Sequence, residues 1–145
     1  MNNYQAEKSL GVGELARASH CKIETVRYYE KIGLMPKPMR TEGGHRIYKQ
    51  PDLKRLTFIR RSRQLGFSVA QVRDLLGFVD EPNHTCGEVK ALTLAQSKEV
   101  ERKIEDLQRL HHALMEMANR CKGQSYSLDQ CPIIDALYDV NHTDL

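Results

Sequence analysis

Apolar positions recur through the first half of the chain at steps of three and four, in short runs broken by glycine and polar residues. Val12, Leu15 and Ala16 share one side of residues 11–19, which predicts a short helix. Ala18-Ser19-His20-Cys21 breaks it. Ile23, Val26 and Tyr29 predict a second helix over about residues 22–31, with that side inward and Gly33 as its stop. Two short helices around a tight turn form a helix-turn-helix pattern. Met35-Pro-Lys-Pro is a rigid break. Arg40-Thr-Glu-Gly-Gly-His-Arg-Ile-Tyr48 then reads as a small hairpin turning at Gly43-Gly44. Pro51-Asp52 opens a third helix, with Leu53, Leu56 and Ile59 inward and Lys54, Arg55, Arg60, Arg61 and Arg63 outward. After Gly66-Phe67, Ser68 starts a fourth helix through about Leu76, carrying Val69, Val72, Leu75 and Leu76.

The second half has a different pattern. Residues 78–85 contain Pro82, show no clear period and read as a linker. From about residue 87 to 118 there is no proline. Val100, Ile104, Leu107, His111, Leu114, Ala118 and Cys121 recur at steps of four and three, widened by Leu110 and Met117. That is a seam of about three heptads. The small front domain cannot bury so long a stripe alone, so a partner helix is expected. Cys121-Lys-Gly-Gln-Ser-Tyr-Ser-Leu-Asp-Gln-Cys131 follows as a polar loop. Pro132 opens a short helix over residues 133–138 with Ile133, Ile134 and Leu137 apolar, and residues 139–145 read as a frayed tail.

Charge divides the chain at the same place. Residues 1–76 hold 15 Lys and Arg against 7 Asp and Glu, whereas residues 77–145 hold 7 against 12. A basic front half points to a polyanion, and the basic hairpin beside a helix-turn-helix is a wing suited to gripping a sugar-phosphate backbone. On the second helix Glu24, Thr25, Arg27, Tyr28 and Lys31 fall largely off the apolar stripe, where they can reach base edges or phosphates. No apolar run approaches the length of a membrane span and the first eight residues are polar, so the expectation is a soluble, cytoplasmic protein with no membrane partner. Its 145 residues suffice for one core or a small domain plus an appendage.

Four cysteines in such a chain are expected to be reduced thiols. Cys86 precedes the long helical stretch, Cys121 ends it, and Cys131 follows across residues 122–130. A helix of 35 steps would put about 50 Å between Cys86 and Cys121. One chain cannot bring both to one atom, whereas two antiparallel chains can. The alternatives at this point are a soft-metal site shared across a dimer and three unrelated buried thiols. A shared site would have three sulfurs, fewer than the four of a structural zinc site. Thiolate suits Hg(II), Pb(II), Cd(II), Zn(II) and Cu(I). Cys21 reads as structural, His84 as either a solvated side chain or a further group approaching a metal at Cys86, and His111 and His112 as packing or surface. Apart from a conceivable Cys–His pair, nothing resembles an active site: there is no glycine-rich phosphate loop and no carboxylate pair in an apolar setting.

Three runs together carry a resemblance: Thr25-Val-Arg-Tyr-Tyr-Glu-Lys-Ile-Gly-Leu34, the hairpin from Arg40 to Tyr48, and Ile59-Arg-Arg-Ser-Arg-Gln-Leu-Gly-Phe-Ser68. They resemble the MerR family of bacterial transcription regulators, over nearly the whole chain. The resemblance implies a mainly α fold: a winged helix-turn-helix DNA-binding domain over residues 1–76, a linker over 77–86, a long antiparallel coiled-coil dimerisation helix over 87–120, and a short C-terminal metal-binding loop and helix over 121–145. It implies Thr25, Arg27 and Tyr28 facing the major groove, Arg17 near the backbone, and Arg40, His45, Arg46 and Tyr48 as wing contacts. It implies a homodimer on double-stranded promoter DNA, repressing without metal and activating by distorting the DNA for RNA polymerase when metal binds Cys86, Cys121 and Cys131.

The resemblance also orders the ions. Copper(I)-sensing relatives have Ser where this chain has Cys86, which points to a divalent ion. Zinc-sensing relatives have a second Cys beside the position of Cys121 and a His in the loop, and this chain has neither. The pattern looks most like the mercury sensors, which puts Hg(II) first. A loop one residue longer than theirs keeps Pb(II) and Cd(II) open, with Zn(II) behind them. Other readings are oxidant or electrophile sensing by the same thiols and, outside the class, a thiol enzyme or metal-buffering protein.

Overall fold

The computed structural model describes residues 8–121, 123, 125 and 127–139. Residues 1–7 and 140–145, expected as a polar start and a frayed end, lie outside the described residues. The chain divides into two compact units, Met1–Leu92 and Thr93–Leu145. It is mainly helical, with α1 (Val12–Ser19), α2 (Ile23–Lys31), α3 (Gln50–Gln64), α4 (Val69–Asp80), α5 (Cys86–Arg120) and α6 (Pro132–Tyr138). Strands β1 (Met39–Arg40) and β2 (Arg46–Ile47) pair antiparallel, Met39 with Ile47 and Arg40 with Arg46.

In the first unit α1 packs on α2 and α3, and α3 on α4. Leu15, Val26, Leu34, Leu56, Ile59 and Val72 form the fully buried heart of the core. Ser19 joins them without an orphaned hydroxyl, because its Oγ donates to the Leu15 carbonyl at 2.7 Å. His20 ends α1 in the left-handed region at φ 56°. That conformation costs a non-glycine residue about 1 kcal/mol. It lets the Cys21 N–H reach the Ala16 carbonyl at 2.9 Å and satisfies the end of the helix. Gly33, at φ 79°, ends α2 in the same way and turns the chain so that Leu34 and Met35 are buried. Ile23, expected inward, is instead exposed in the first turn of α2.

The hairpin closes over residues 41–44, with the Gly44 N–H on the Thr41 carbonyl at 2.9 Å. A second pairing fixes it to the core: Leu10 and Tyr48 exchange backbone hydrogen bonds of 2.8 Å each way. Ser68 caps α4 as expected, accepting from the Gln71 N–H while the Gln71 side chain accepts from the Ser68 N–H. The helix continues past Leu76 to Asp80. Phe78 still packs on the core, and Asp80 pairs with Arg55, so the start of the expected linker is helix. Only residues 81–85 separate α4 from α5.

In the second unit α5 continues without a break to Arg120. Its stripe residues Val100, Ile104, Leu107, Leu110 and Leu114 are exposed in this single chain. The loop after Cys121 contains a 3-10 turn, Leu128–Gln130, which α6 contacts. Pro132 stands in the first turn of α6, where its missing N–H costs nothing. Among the described residues no helix is long and apolar enough to cross a membrane.

Candidate nucleic-acid interface and metal-ligand set

Helix α2 presents Arg27 and Tyr28 to solvent, Tyr28 at 50% exposure, while Thr25 is half-buried. Arg17 is exposed on α1. On the hairpin, Arg40 donates to the Gly44 carbonyl at 2.8 Å, and the His45 N–H donates to Thr41 Oγ1 at 3.1 Å. Both side chains are exposed. Between α2 and the hairpin lies a cleft of about 340 Å³, lined by Arg27, Lys31, Lys37, Arg40 and Arg46 with Glu30. The structure thus brings Arg27, Arg40 and Arg46 together, whereas Arg17, Thr25, Tyr28 and His45 stand outside that lining. Five cations against one carboxylate make the cleft a receptor for anionic oxygens.

Tyr48 corrects the expectation of a wing contact. It is 1% exposed and belongs to the core, because the bridge to Leu10 turns its ring inward. Its hydroxyl donates to Glu30 Oε1 in a short hydrogen bond. Burial first, then the Glu30 hydrogen bond and charge, push the phenol up to about 12, while Arg46 pulls the other way. Glu30 also meets Arg46, whose Nη1 lies 2.9 Å from Oε2 as an ion pair without the alignment of a hydrogen bond. The position of Glu30 beside Tyr29 and Lys31 gave no sign of this junction, which depends on a partner 18 residues away in sequence.

Arg55 and Arg63, expected as outward basic surface, instead end on backbone carbonyls. Arg55 Nε donates to the Leu34 carbonyl at 2.7 Å, and its Nη1 meets both oxygens of Asp80 at 2.9 and 3.0 Å. Arg63 donates to the Phe67 carbonyl at 2.7 Å. Arg73 of α4 donates to the Ile32 carbonyl at 2.6 Å. The cations of Arg55 and Arg73 therefore sit on carbonyls at the C-terminal end of α2, where the helix dipole favours positive charge.

The three candidate ligands occupy the ends of helices. Cys86 is exposed in the first turn of α5, Cys121 is exposed directly after its last residue, and Cys131 is half-buried at the N-cap of α6. Among the described residues no three His, Cys, Asp or Glu side chains of one chain form a group able to hold a metal. Cys21 is half-buried against the core, with Sγ 3.7 Å from the Ser19 carbonyl. His84, expected to be solvated, is instead pinned. Nδ1 lies 3.1 Å from Glu88, Nε2 lies 3.1 Å from Glu81, and the ring meets Phe78 at a tilt, with centroids 4.9 Å apart. The Glu88 and then the Glu81 hydrogen bonds raise its pKa. Glu88 is lowered, first by the Thr85 N–H at 2.7 Å and then by His84. This trio fixes the start of α5 immediately beside Cys86.

Two family profiles match the chain: "MerR HTH family regulatory protein" over residues 10–78 and "MerR, DNA binding" over residues 53–117. The chain is 41% identical to the mercuric resistance operon regulatory protein of Bacillus cereus, covering 87% of this chain and 95% of that one. It is 42% identical to the HTH-type transcriptional regulator ZntR of Escherichia coli K12, covering 87% and 90%. Among solved structures it is similar to the transcription regulator PbrR691 from Ralstonia metallidurans CH34 in complex with lead(II). That match has a TM-score of 0.76 at 38% identity, covering 88% of this chain and 98% of that one.

Proposed function

The chain belongs to the MerR family of helix-turn-helix transcription regulators, and we propose that it represses a promoter without metal and activates it when a soft divalent ion binds. It is a metal-responsive transcription regulator and not an enzyme. In this reading it acts in the cytoplasm as a homodimer on double-stranded promoter DNA, with RNA polymerase as its further partner. Arg17, Arg27, Tyr28, Arg40, His45 and Arg46 carry the DNA contacts, with Thr25 on the same helix. Cys86 of one subunit joins Cys121 and Cys131 of the other in a three-thiolate site, present twice by symmetry.

One observation carries this reading: a single uninterrupted helix has Cys86 in its first turn and Cys121 directly after its last residue. The exposed stripe along that helix offers a second copy a surface to cover. Three thiolates favour Hg(II) first, with Pb(II) and Cd(II) next. Zn(II) follows because this chain lacks a fourth ligand of the usual kind. The similar proteins named for mercuric resistance and solved with lead(II) support a soft divalent ion and do not rank the candidates. When bound, the ion crosslinks the ends of two helices. The coupling between that crosslink and a distorted DNA complex is the regulatory free energy.

A competition titration of the reduced protein with Hg(II), Pb(II), Cd(II) and Zn(II), read by the thiolate-to-metal absorption band, orders the ions. Transcription from the cognate promoter with and without the winning ion tests the response. Hg(II) is expected to win, and Cys86→Ser is expected to abolish activation. Full activation by Cys86→Ser would rule out the shared site. Disulfide formation on oxidation without metal binding would favour an oxidant sensor instead.

A further inference from the structure

The DNA-facing cleft contains a carboxylate among its cations, and a carboxylate repels phosphate. Glu30 is the acidic residue lining it among the described residues. Its side chain is only 8% exposed, and it does not swing freely, because the Tyr48 hydroxyl binds it from the core side. On its other side is Arg46, three-quarters buried, at 2.9 Å. That contact is held by charge without a well-aligned hydrogen bond. That Nη1 is itself buried, and Arg46 still lines the cleft.

We propose that Glu30 is a positioning residue that keeps Arg46 neutralised on DNA of arbitrary sequence, so that Arg46 contributes a phosphate contact only where α2 and the wing seat together. The proposal rests on the DNA-binding reading above and adds a specificity role for a residue outside the set of contacts. The physical logic is counterion release. Each phosphate neutralised by a protein cation adds about 0.9 to the slope of log affinity against log salt concentration. A cation already paired with a fixed carboxylate releases little. Glu30 thus lowers the electrostatic affinity that every sequence shares and leaves the seated complex comparatively favoured.

The test is a salt titration of the full chain on a mixed-sequence duplex, comparing the unmodified protein with Glu30→Gln, Arg46→Ala and the double variant. Glutamine keeps the size of Glu30 and an oxygen for the Tyr48 hydroxyl, and removes only the charge. In the Glu30→Gln background, Arg46→Ala is expected to lower the slope by about 0.9, and in the unmodified background by well under half of that. Glu30→Gln alone is expected to bind this duplex more tightly, with an extra salt sensitivity of about 3.5-fold between 50 and 200 mM. Tyr48→Phe, which frees Glu30 but keeps its charge, should move the slope less than Glu30→Gln does.

Equal loss from Arg46→Ala in both backgrounds, or weaker binding by Glu30→Gln, would overturn the proposal and leave Glu30 as a scaffold residue. Tyr48→Phe reproducing the Glu30→Gln slope would overturn the charge argument as well. If the unmodified protein shows no salt-sensitive duplex binding, the DNA-binding reading fails together with this one.

Discussion

In the unit Met1–Leu92 the large aliphatic side chains Leu15, Leu56, Ile59 and Val72 are buried to the last few per cent, and each cationic brace ends on a named oxygen. In the unit Thr93–Leu145 the corresponding aliphatic side chains, Val100, Ile104, Leu107, Leu110 and Leu114, are 42 to 64% exposed. The two units follow the same helical periodicity, so pattern alone does not separate them. The difference lies in where the covering surface comes from. The first unit folds its helices onto one another. The second is one long helix with a short appendage, and its apolar stripe calls for a surface that this unit does not supply. Half-exposed aliphatic side chains gain about 1 kcal/mol each on being covered, so a dimer is the physical completion of the second unit.

Breaking the first unit should cost the most. Leu56→Ala, at a fully buried site, is expected to destabilise by roughly 2–5 kcal/mol in chemical denaturation, with no dependence on protein concentration. Breaking the second unit should look different in kind. Leu107→Asp is expected to turn a dimer into a monomer in analytical ultracentrifugation, while hydrogen exchange in α1 to α4 stays slow. Loss of protection in those helices would contradict the separation.

Smaller effects sharpen the picture inside the first unit. Arg55→Gln leaves the Leu34 carbonyl without its cation and should lower stability by about 1–3 kcal/mol. Asp80→Asn, which touches only the exposed half of that junction, should cost under about 1 kcal/mol. A larger loss from Asp80 than from Arg55 would mean the carboxylate, not the carbonyl, is the anchor.

The Tyr48 phenol gives a pH signature. Its folded value is raised from 10.0 to about 12, so the folded state holds a proton that the unfolded state has released between those values. The contribution is therefore fully present below pH 10 and lost as pH rises toward 12. An ultraviolet titration should show one tyrosine ionising late, and Tyr48→Phe should remove that step and flatten the alkaline loss of stability.

Much of this was legible in the residues. Gly33 and Ser68 marked real helix boundaries, and the apolar runs through Leu15, Val26, Leu56 and Val72 marked the core. What escaped depended on contacts distant in sequence. Tyr48 read as a wing residue because its pairing with Leu10 is invisible in the chain order. Arg55, Arg63 and Arg73 look like solvated cations until the carbonyls of Leu34, Phe67 and Ile32 are placed beside them. The apolar period ends α4 near Leu76, because nothing local shows that Asp80 pairs with Arg55. Cys86, Cys121 and Cys131 were visible as a spacing, and a spacing does not say which chain supplies each thiol.

That last point is open to a direct measurement. A mixed dimer is made from a Cys86→Ser chain and a chain carrying Cys121→Ser and Cys131→Ser, separated by different affinity tags, and its bound Hg(II) is counted under a competing thiol. The two variant homodimers are expected to hold no tightly bound ion and the unmodified dimer two. The mixed dimer should hold one, because one of its two sites keeps all three sulfurs. A mixed dimer with no tight Hg(II), or a Cys86→Ser homodimer that still holds two, would contradict a site built across the two chains.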